Sequence, residues 1–345
     1  MDFEFHYYVT YLAATRAGYS SEDAYKIAYS SQFVDDNNMS FDIHTETPHQ
    51  YTNYLSQTID VLKPKRKLFR IYLLFHFIPG DPFTESARRK DGKMHWLNTT
   101  PDSTNANKIL DSALASGNLY RIGIAIHAYL DTWAHQNFVG YYDEFNSMRG
   151  SVQSIAPDIG HADAGMYPDF PCLVWDDNRL LNDNSIIDNA DRFQKAALRT
   201  FEKLYFHLHS EITSETFKEH YSGFKKDLMA ILFEQDRTNR KSKKRIKQYI
   251  ALSAQSEYGG KKLVPYNVSE WFDKAIHEDI RGLKDRSGSF ISHIDPFHDK
   301  YTWHDLNNYK NTDWYKFQES VKEHQDLSWN LIEEKTFSKM ELLNV

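Results

Sequence analysis

Gly123-Ile-Ala-Ile-His-Ala-Tyr-Leu-Asp-Thr-Trp-Ala-His135 is the stretch whose reading decides the fold. His127, Asp131 and His135 stand at i, i+4 and i+8, so a helix projects all three from one face. The residues between them, and Ile122, Ile124 and Ile126 before them, are mostly apolar, which predicts a buried helix. Two imidazoles and a carboxylate buried on one face are costly unless something pairs with them. A divalent metal is the economical partner, since zinc takes neutral imidazole nitrogen and carboxylate oxygen at close range. The expectation is an all-α, multi-helix bundle around a buried metal cluster, with long irregular loops.

The bulk composition is compatible with this. The chain has 345 residues, a net charge of −7, and 22 Tyr and 22 Phe to fill a large core. The acidic balance argues against a general nucleic-acid coat. One cysteine, Cys172, excludes an intrachain disulfide and a cysteine-rich zinc ribbon. The first residues lack the charged and apolar regions of a secretory signal, and no apolar run reaches the length of a membrane span. The expected compartment is the cytoplasm by default, with export lacking an N-terminal signal left open.

Working outward from the central helix, Asn118 is a good cap for it, and the helix is expected to run to about Phe138. Phe5 to Ala17 predicts a helix stopped by Gly18, and Ser20 caps a second one through about Val34. Phe41 to Pro48 predicts a loop, Tyr51 to Leu62 a short helix, and Ala106 to Ser116 a helix, whereas Lys67 to Ile78 is ambiguous. Ser151 to Asn189 is long for an irregular loop, which favours function. Helices follow over Ala190 to Ile212, Thr216 to Phe233, a stretch ending near Gly259, Ser269 to Leu283 and Asp313 to Lys335. A composition shift near residue 236 divides a metal-binding helical domain, 1–235, from a helical C-terminal extension packed on it, 236–345.

Further donors are scattered along the chain. His161 follows Gly160, where the backbone can bend a ligand inward, and Asp169 follows Pro168, with Asp163 as a second carboxylate candidate. Asp35 and Asp36 sit at a helix C-terminus, where two carboxylates oppose the macrodipole, and adjacent side chains diverge so that one of them faces the site. His6 and His76 lie in aromatic and apolar runs, while His44 and His49 lie in a polar loop. His293, Asp295, His298, Asp299, His304 and Asp305 lack one-face periodicity and read as a polar loop. Residues 237–247 carry seven positive residues in eleven, a candidate surface for an anionic partner, though a solvated helix entrance is commoner.

The linear order His6, Asp35/Asp36, His76, His127-x-x-x-Asp131-x-x-x-His135, His161 and a following carboxylate resembles the zinc-dependent phospholipase C and single-strand-specific nuclease superfamily. That resemblance implies an all-helical fold, three zinc ions in a cleft, and His6, Asp35 or Asp36, His76, His127, Asp131, His135, His161 and Asp169 as metal ligands. Those enzymes are secreted and ligate zinc with the backbone of a processed N-terminal Trp, whereas this chain starts at Met1-Asp2, which leaves His6 as the N-terminal ligand. Their last carboxylate lies one helical turn after its His. Here that position is Gly165, so Asp169 or Asp163 must serve through a different loop shape. Over roughly residues 1–210 the chain also resembles an uncharacterised family of the domain-of-unknown-function type, through Phe5-His-Tyr-Tyr8, Gln32-Phe-Val-Asp-Asp36, Asp131-Thr-Trp-Ala-His135, Gly160-His161 and Pro168-Asp169.

The expected function is a metal-dependent hydrolase, a phosphoesterase using a metal-bound hydroxide at a di- or trinuclear His/Asp site. The cofactor is two or three divalent ions, zinc first and manganese or iron as alternatives, and the substrate is a small-molecule or lipid phosphoester. His127 and Asp131 would hold one ion, with Asp131 able to bridge, and His135, His161 and Asp169 another. Asp35 or Asp36 would be a ligand or the general base. A metal-stapled helical scaffold that binds a partner is the alternative. A nucleotide phosphohydrolase of the His-Asp type ranks lower, because its adjacent pairs occur only at His298-Asp299 and His304-Asp305.

Overall fold

The computed structural model describes residues 1–58, 65–148, 159–209, 213–279, 300–333 and 336. A π-helical turn, Glu4–Val9, runs directly into α1, Thr10–Ala17, which Gly18 ends at φ 111°. Ser20 accepts a hydrogen bond from the Asp23 amide and starts α2, Ser21–Asp36. The ambiguous segment is α3, Lys65–Phe75. Then come α4, Thr104–Ser116, capped by Ser103, and α5, Leu119–Ala134, capped by the Asn118 side chain on the Tyr120 and Arg121 amides. After a short α6, Asn182–Ser185, follow α7, Asn189–Leu208; α8, Ser214–Leu232; α9, Ser242–Ser253; α10, Glu270–Ala275; and α11, Asp313–Glu333.

The fold is mainly α, as the sequence led us to expect. Every residue of α5 from Tyr120 to Ala134 is buried, because α2, α3, α4, α7 and α11 surround it. A helix apolar all round has no face left for water and takes the centre of the bundle. Gly123 sets how closely α2 approaches. A Cβ there would lie 2.3 Å from the Ile27 carbonyl oxygen and 2.6 Å from Ser30 Cβ.

The strands are short. β1, Asp42–Ile43, pairs antiparallel with β2, Tyr51–Thr52, and parallel with β6, Lys300–Trp303, which pairs antiparallel with β5, Ile276–Asp279. β3, Val174–Asp176, and β4, Ile186–Asp188, form a separate hairpin-like pair within the long loop. The first sheet joins residues from both ends of the chain, and α11 packs on α5. No helix among the described residues is long and apolar enough to cross a membrane.

Several local expectations are corrected. Tyr51 and Thr52 are strand, and the following turn is non-helical because Asn53 accepts from the Phe41 amide and donates to the Met39 carbonyl; residues 59–62 lie outside the described residues. The predicted loop over Phe41 to Pro48 includes β1. The central helix stops at Ala134, with His135 as its C-cap, because Asn137 adopts φ 70° and the chain exchanges backbone hydrogen bonds with Thr99. The expected helix from Ser269 ends at Ala275, where pairing with β6 takes over. His293, Asp295, His298 and Asp299 lie outside the described residues, whereas His304 Nε2 rests on the Asp273 carbonyl at 3.1 Å.

Gly123→Ala should destabilise the fold by about 1–3 kcal/mol, because a backbone carbonyl must give way to the added methyl. Urea unfolding should show a lower midpoint with an unchanged slope.

Candidate metal centre

α5 carries His127 and Asp131 into the core on one face, with His135 at its end. α2 brings Asp35 from the facing side. His76 follows α3, where the chain tightens as the Phe77 amide reaches back to the Tyr72 carbonyl. His161 and Asp169 come from the long loop, and His6 from the π-helical turn, a geometry often found at functional sites. Three groups result among the described residues, the first two sharing His127: His6, His127 and Asp131; Asp35, His76 and His127; and His135, His161 and Asp169. Within each group one ligand atom per residue lies within 4.8 Å of the others.

The hydrogen-bond pattern fixes which nitrogen of each ring points inward. His127 Nδ1 lies 2.7 Å from the Ser31 carbonyl, His76 Nε2 3.0 Å from that of Ser56, His135 Nδ1 2.8 Å from that of His76, and His161 Nδ1 2.8 Å from that of Gly165. A carbonyl only accepts, so these nitrogens carry a ring proton, and in the neutral ring the opposite nitrogen is the one with a lone pair to offer. The lone pairs converge on each other and on carboxylates. His76 Nδ1 and His127 Nε2 are 3.1 Å apart, and lie 3.2 and 3.3 Å from Asp131 Oδ2. Asp35 Oδ1 stands 3.6 Å from His127 Nε2 and 3.8 Å from His76 Nδ1. Asp169 faces His135 Nε2 at 3.3 Å with one oxygen and His161 Nε2 at 3.4 Å with the other.

On the remaining side of Asp131, Oδ1 lies 3.2 Å from His6 Nε2. The contact lacks hydrogen-bond geometry, and both ring nitrogens of His6 are buried with no hydrogen-bond partner. The Met1 amino group stands 2.5 Å from the same Asp131 oxygen and 3.3 Å from Asp169 Oδ1. The His6 ring stacks on that of His127 at 3.8 Å between centroids, and Phe77 stacks on His135 at 4.4 Å.

The electrostatics are those of a cluster that calls for positive charge. Burial works to raise the Asp131 carboxyl, but His135, the Met1 amine, His127 and His6 outweigh it and hold it well below the usual carboxylate range. Asp35 and Asp169 are lowered against burial in the same way, Asp35 by His127 first and Asp169 by His161 first. The Met1 amine is raised to about 11, since Asp131, Asp169 and Asp35 overcome the cost of burial. Burial pushes His6 down to about 3, with His127 and the amine adding to it. This donor set fits divalent ions that accept imidazole nitrogen and carboxylate oxygen, and the carbonyls behind the rings are the outer partners such ligands have.

Asp35 and Asp36 diverge as expected. Asp36 accepts from the Tyr266 hydroxyl at 2.7 Å and from Gln32 at 3.1 Å, and belongs to none of the three groups. Asp163 accepts from the Met148 amide at 2.7 Å, which turns it away from His161. His44 accepts from the Trp303 amide, and the His49 carbonyl accepts from the Trp303 indole, so both serve the small sheet. Within the basic run, Arg245 is buried between Glu4 and Asp236, and Lys241 and Lys244 pair with Glu234. The proton-fixing carbonyls carried no sequence signal, because every residue has one.

A family model described as "Family of unknown function (DUF6765)" matches residues 1–332, and the chain belongs to that family. No curated protein and no solved structure matches the chain.

The split between neighbouring carboxylates gives a direct check. Asp35→Asn should lower the metal content of the purified protein, whereas Asp36→Asn should leave it unchanged; elemental analysis of both variants reads the difference.

Proposed function

We propose that this chain, from a family with no assigned activity, is a metal-dependent hydrolase of phosphoesters. The observation that carries this is a convergence of atoms of metal-ligating type: His76 Nδ1, His127 Nε2 and Asp131 Oδ2 lie within 3.3 Å of one another in the core. Acceptors that close repel unless a cation lies among them. The placing of Asp131's two oxygens toward opposite sides, and a separate group of His135, His161 and Asp169, support more than one ion.

Asp35, His76, His127 and Asp131 would hold one ion, and His135, His161 and Asp169 a second. His6 and Asp131 would contribute to a third. The resemblance to zinc-dependent phospholipase C enzymes and single-strand-specific nucleases implies the same ligand residues and three ions. Bound divalent ions would lower the pKa of a coordinated water toward neutrality and offset charge on the phosphoryl oxygens.

The protein's own groups set where the reaction takes place. The Asp35 side chain is 31% exposed and that of His161 19%, while Asp131 and His6 are sealed from solvent. Substrate therefore approaches over Asp35 and His161. Asp35 would serve either as a ligand or to orient an attacking water and accept its proton, and the sealed side would hold the other ligands in fixed orientation. A structural zinc site closes on four protein ligands, and this open edge favours catalysis over the metal-stapled scaffold.

The deciding measurement is metal content after purification without chelators or a metal-carrying tag. Two or three equivalents of zinc, manganese or iron are expected, lost in Asp131→Ala together with hydrolysis across a panel of phosphomonoesters and phosphodiesters. One tightly held ion indifferent to added anions would establish the scaffold instead. Metal-free protein that is folded and cannot be loaded would overturn both.

A further inference from the structure

The segment that carries His6 is held from outside by residues that play no part in the three groups. Arg245, near the start of α9, reaches Glu4 with two parallel hydrogen bonds, Nε to Oε2 at 2.9 Å and Nη2 to Oε1 at 2.8 Å. Its third nitrogen, Nη1, donates to Asp236 at 2.9 Å, and Nη2 also donates to Asn239. Asn239 in turn donates to the Asp2 carboxylate, and the Asp2 amide donates to the Asp169 carbonyl at 3.2 Å. Glu4 and Arg245 are almost fully buried, with side-chain exposures of 0% and 3%. Asp236 is fixed independently, because it accepts from the Arg240 and Lys241 amides.

Such a fork is the strongest and most directional contact a guanidinium makes. It is also an unusual use of a residue from a basic run, where solvent exposure is the common fate. Glu4 lies two residues before His6 in the same π-helical turn, and Asp2 lies next to the amine that faces Asp131. Locking Glu4 and Asp2 therefore fixes the segment that carries His6. His6 has no hydrogen bond of its own to orient its ring, unlike the other four histidines.

We propose that Arg245, with Asn239, is a positioning residue of the metal centre: it clamps residues 2–4 so that His6 is held against Asp131, and the ion bound there depends on it. The clamp rests on the proposed metal binding, and its failure can be told apart from failure of that reading. The clamp takes the place of the backbone carbonyl that orients each other histidine.

Zinc titration of metal-stripped protein, followed by calorimetry and elemental analysis, tests it. Arg245→Ala would strand a buried Glu4 carboxylate and risk unfolding. The informative variant is therefore Glu4→Gln with Arg245→Met, which removes both charges while Asp236 keeps its backbone donors. Circular dichroism and thermal unfolding establish that it folds. The expected result is that His6→Ala loses one ion, that the double variant binds the same ion at least tenfold more weakly, and that the remaining ions keep their affinity. Adding the double substitution to His6→Ala should cause little further loss, the non-additivity of residues acting as one unit. Arg245→Lys, which keeps the charge but not the fork, should fall between.

Unchanged affinity for every ion in the folded double variant would overturn the clamp alone. So would equal weakening of all ions, which would make the pair a general support of the fold, and so would a His6→Ala variant that loses no ion. Wild-type protein that binds no zinc would overturn the clamp together with the metal reading.

Discussion

The rest of the structure depends on one electrostatic constraint. Five imidazoles and three carboxylates converge inside an apolar bundle with their polar atoms facing each other. A buried polar group without a partner is costly, and a buried charge without one is costlier. The Met1 amine lies between Asp131 and Asp169, and these carboxylates push its pKa up against burial. A metal ion would meet the same demand at several points at once, and its binding energy would then be part of the folding energy.

The architecture serves that constraint by aiming groups from distant parts of the chain. α5 is the axis, and the absence of a side chain at Gly123 lets α2 come close enough for the Ser31 carbonyl to orient His127. Gly160 does similar work for the loop. It adopts φ 52°, and a Cβ there would lie 2.5 Å from the Phe77 ring that also stacks on His135. The turn bearing Asp169 is pinned by Asn189, whose side-chain amide donates to the carbonyls of Tyr167 and Phe170. The long irregular loop is thus tied at both of its donor residues by ordinary hydrogen bonds and ring packing.

Residues beyond 236 take part in the same construction. Arg245 holds Glu4, Tyr266 holds Asp36, and α11 covers α5, so the late part of the chain closes the bundle around the early donors. Tyr266 also leaves Asp35 as the one of the two adjacent carboxylates that faces the histidines. A guanidinium that is buried and fully paired contributes orientation more than raw stability, since its desolvation offsets much of the attraction.

By itself the sequence determined the helical class, the burial of α5 and the shared face of His127 and Asp131, because helical periodicity and end-capping act over a few residues. Ser20, Ser103, Asn118 and Gly18 mark their helix ends for the same local reason. It also named the His and Asp residues that come together in the core, since only a few residue types ligate metals. Tertiary structure alone decided which of Asp35 and Asp36 turns inward, that Asp169 and not Asp163 meets His161, that Tyr51 and Thr52 pair as a strand, and that Arg245 leaves the basic run for the core. Each of those outcomes depends on a partner far away in the chain, Tyr266 for Asp36 and Glu4 for Arg245 among them. Local propensity carries no information about such a partner until the chain has folded around it.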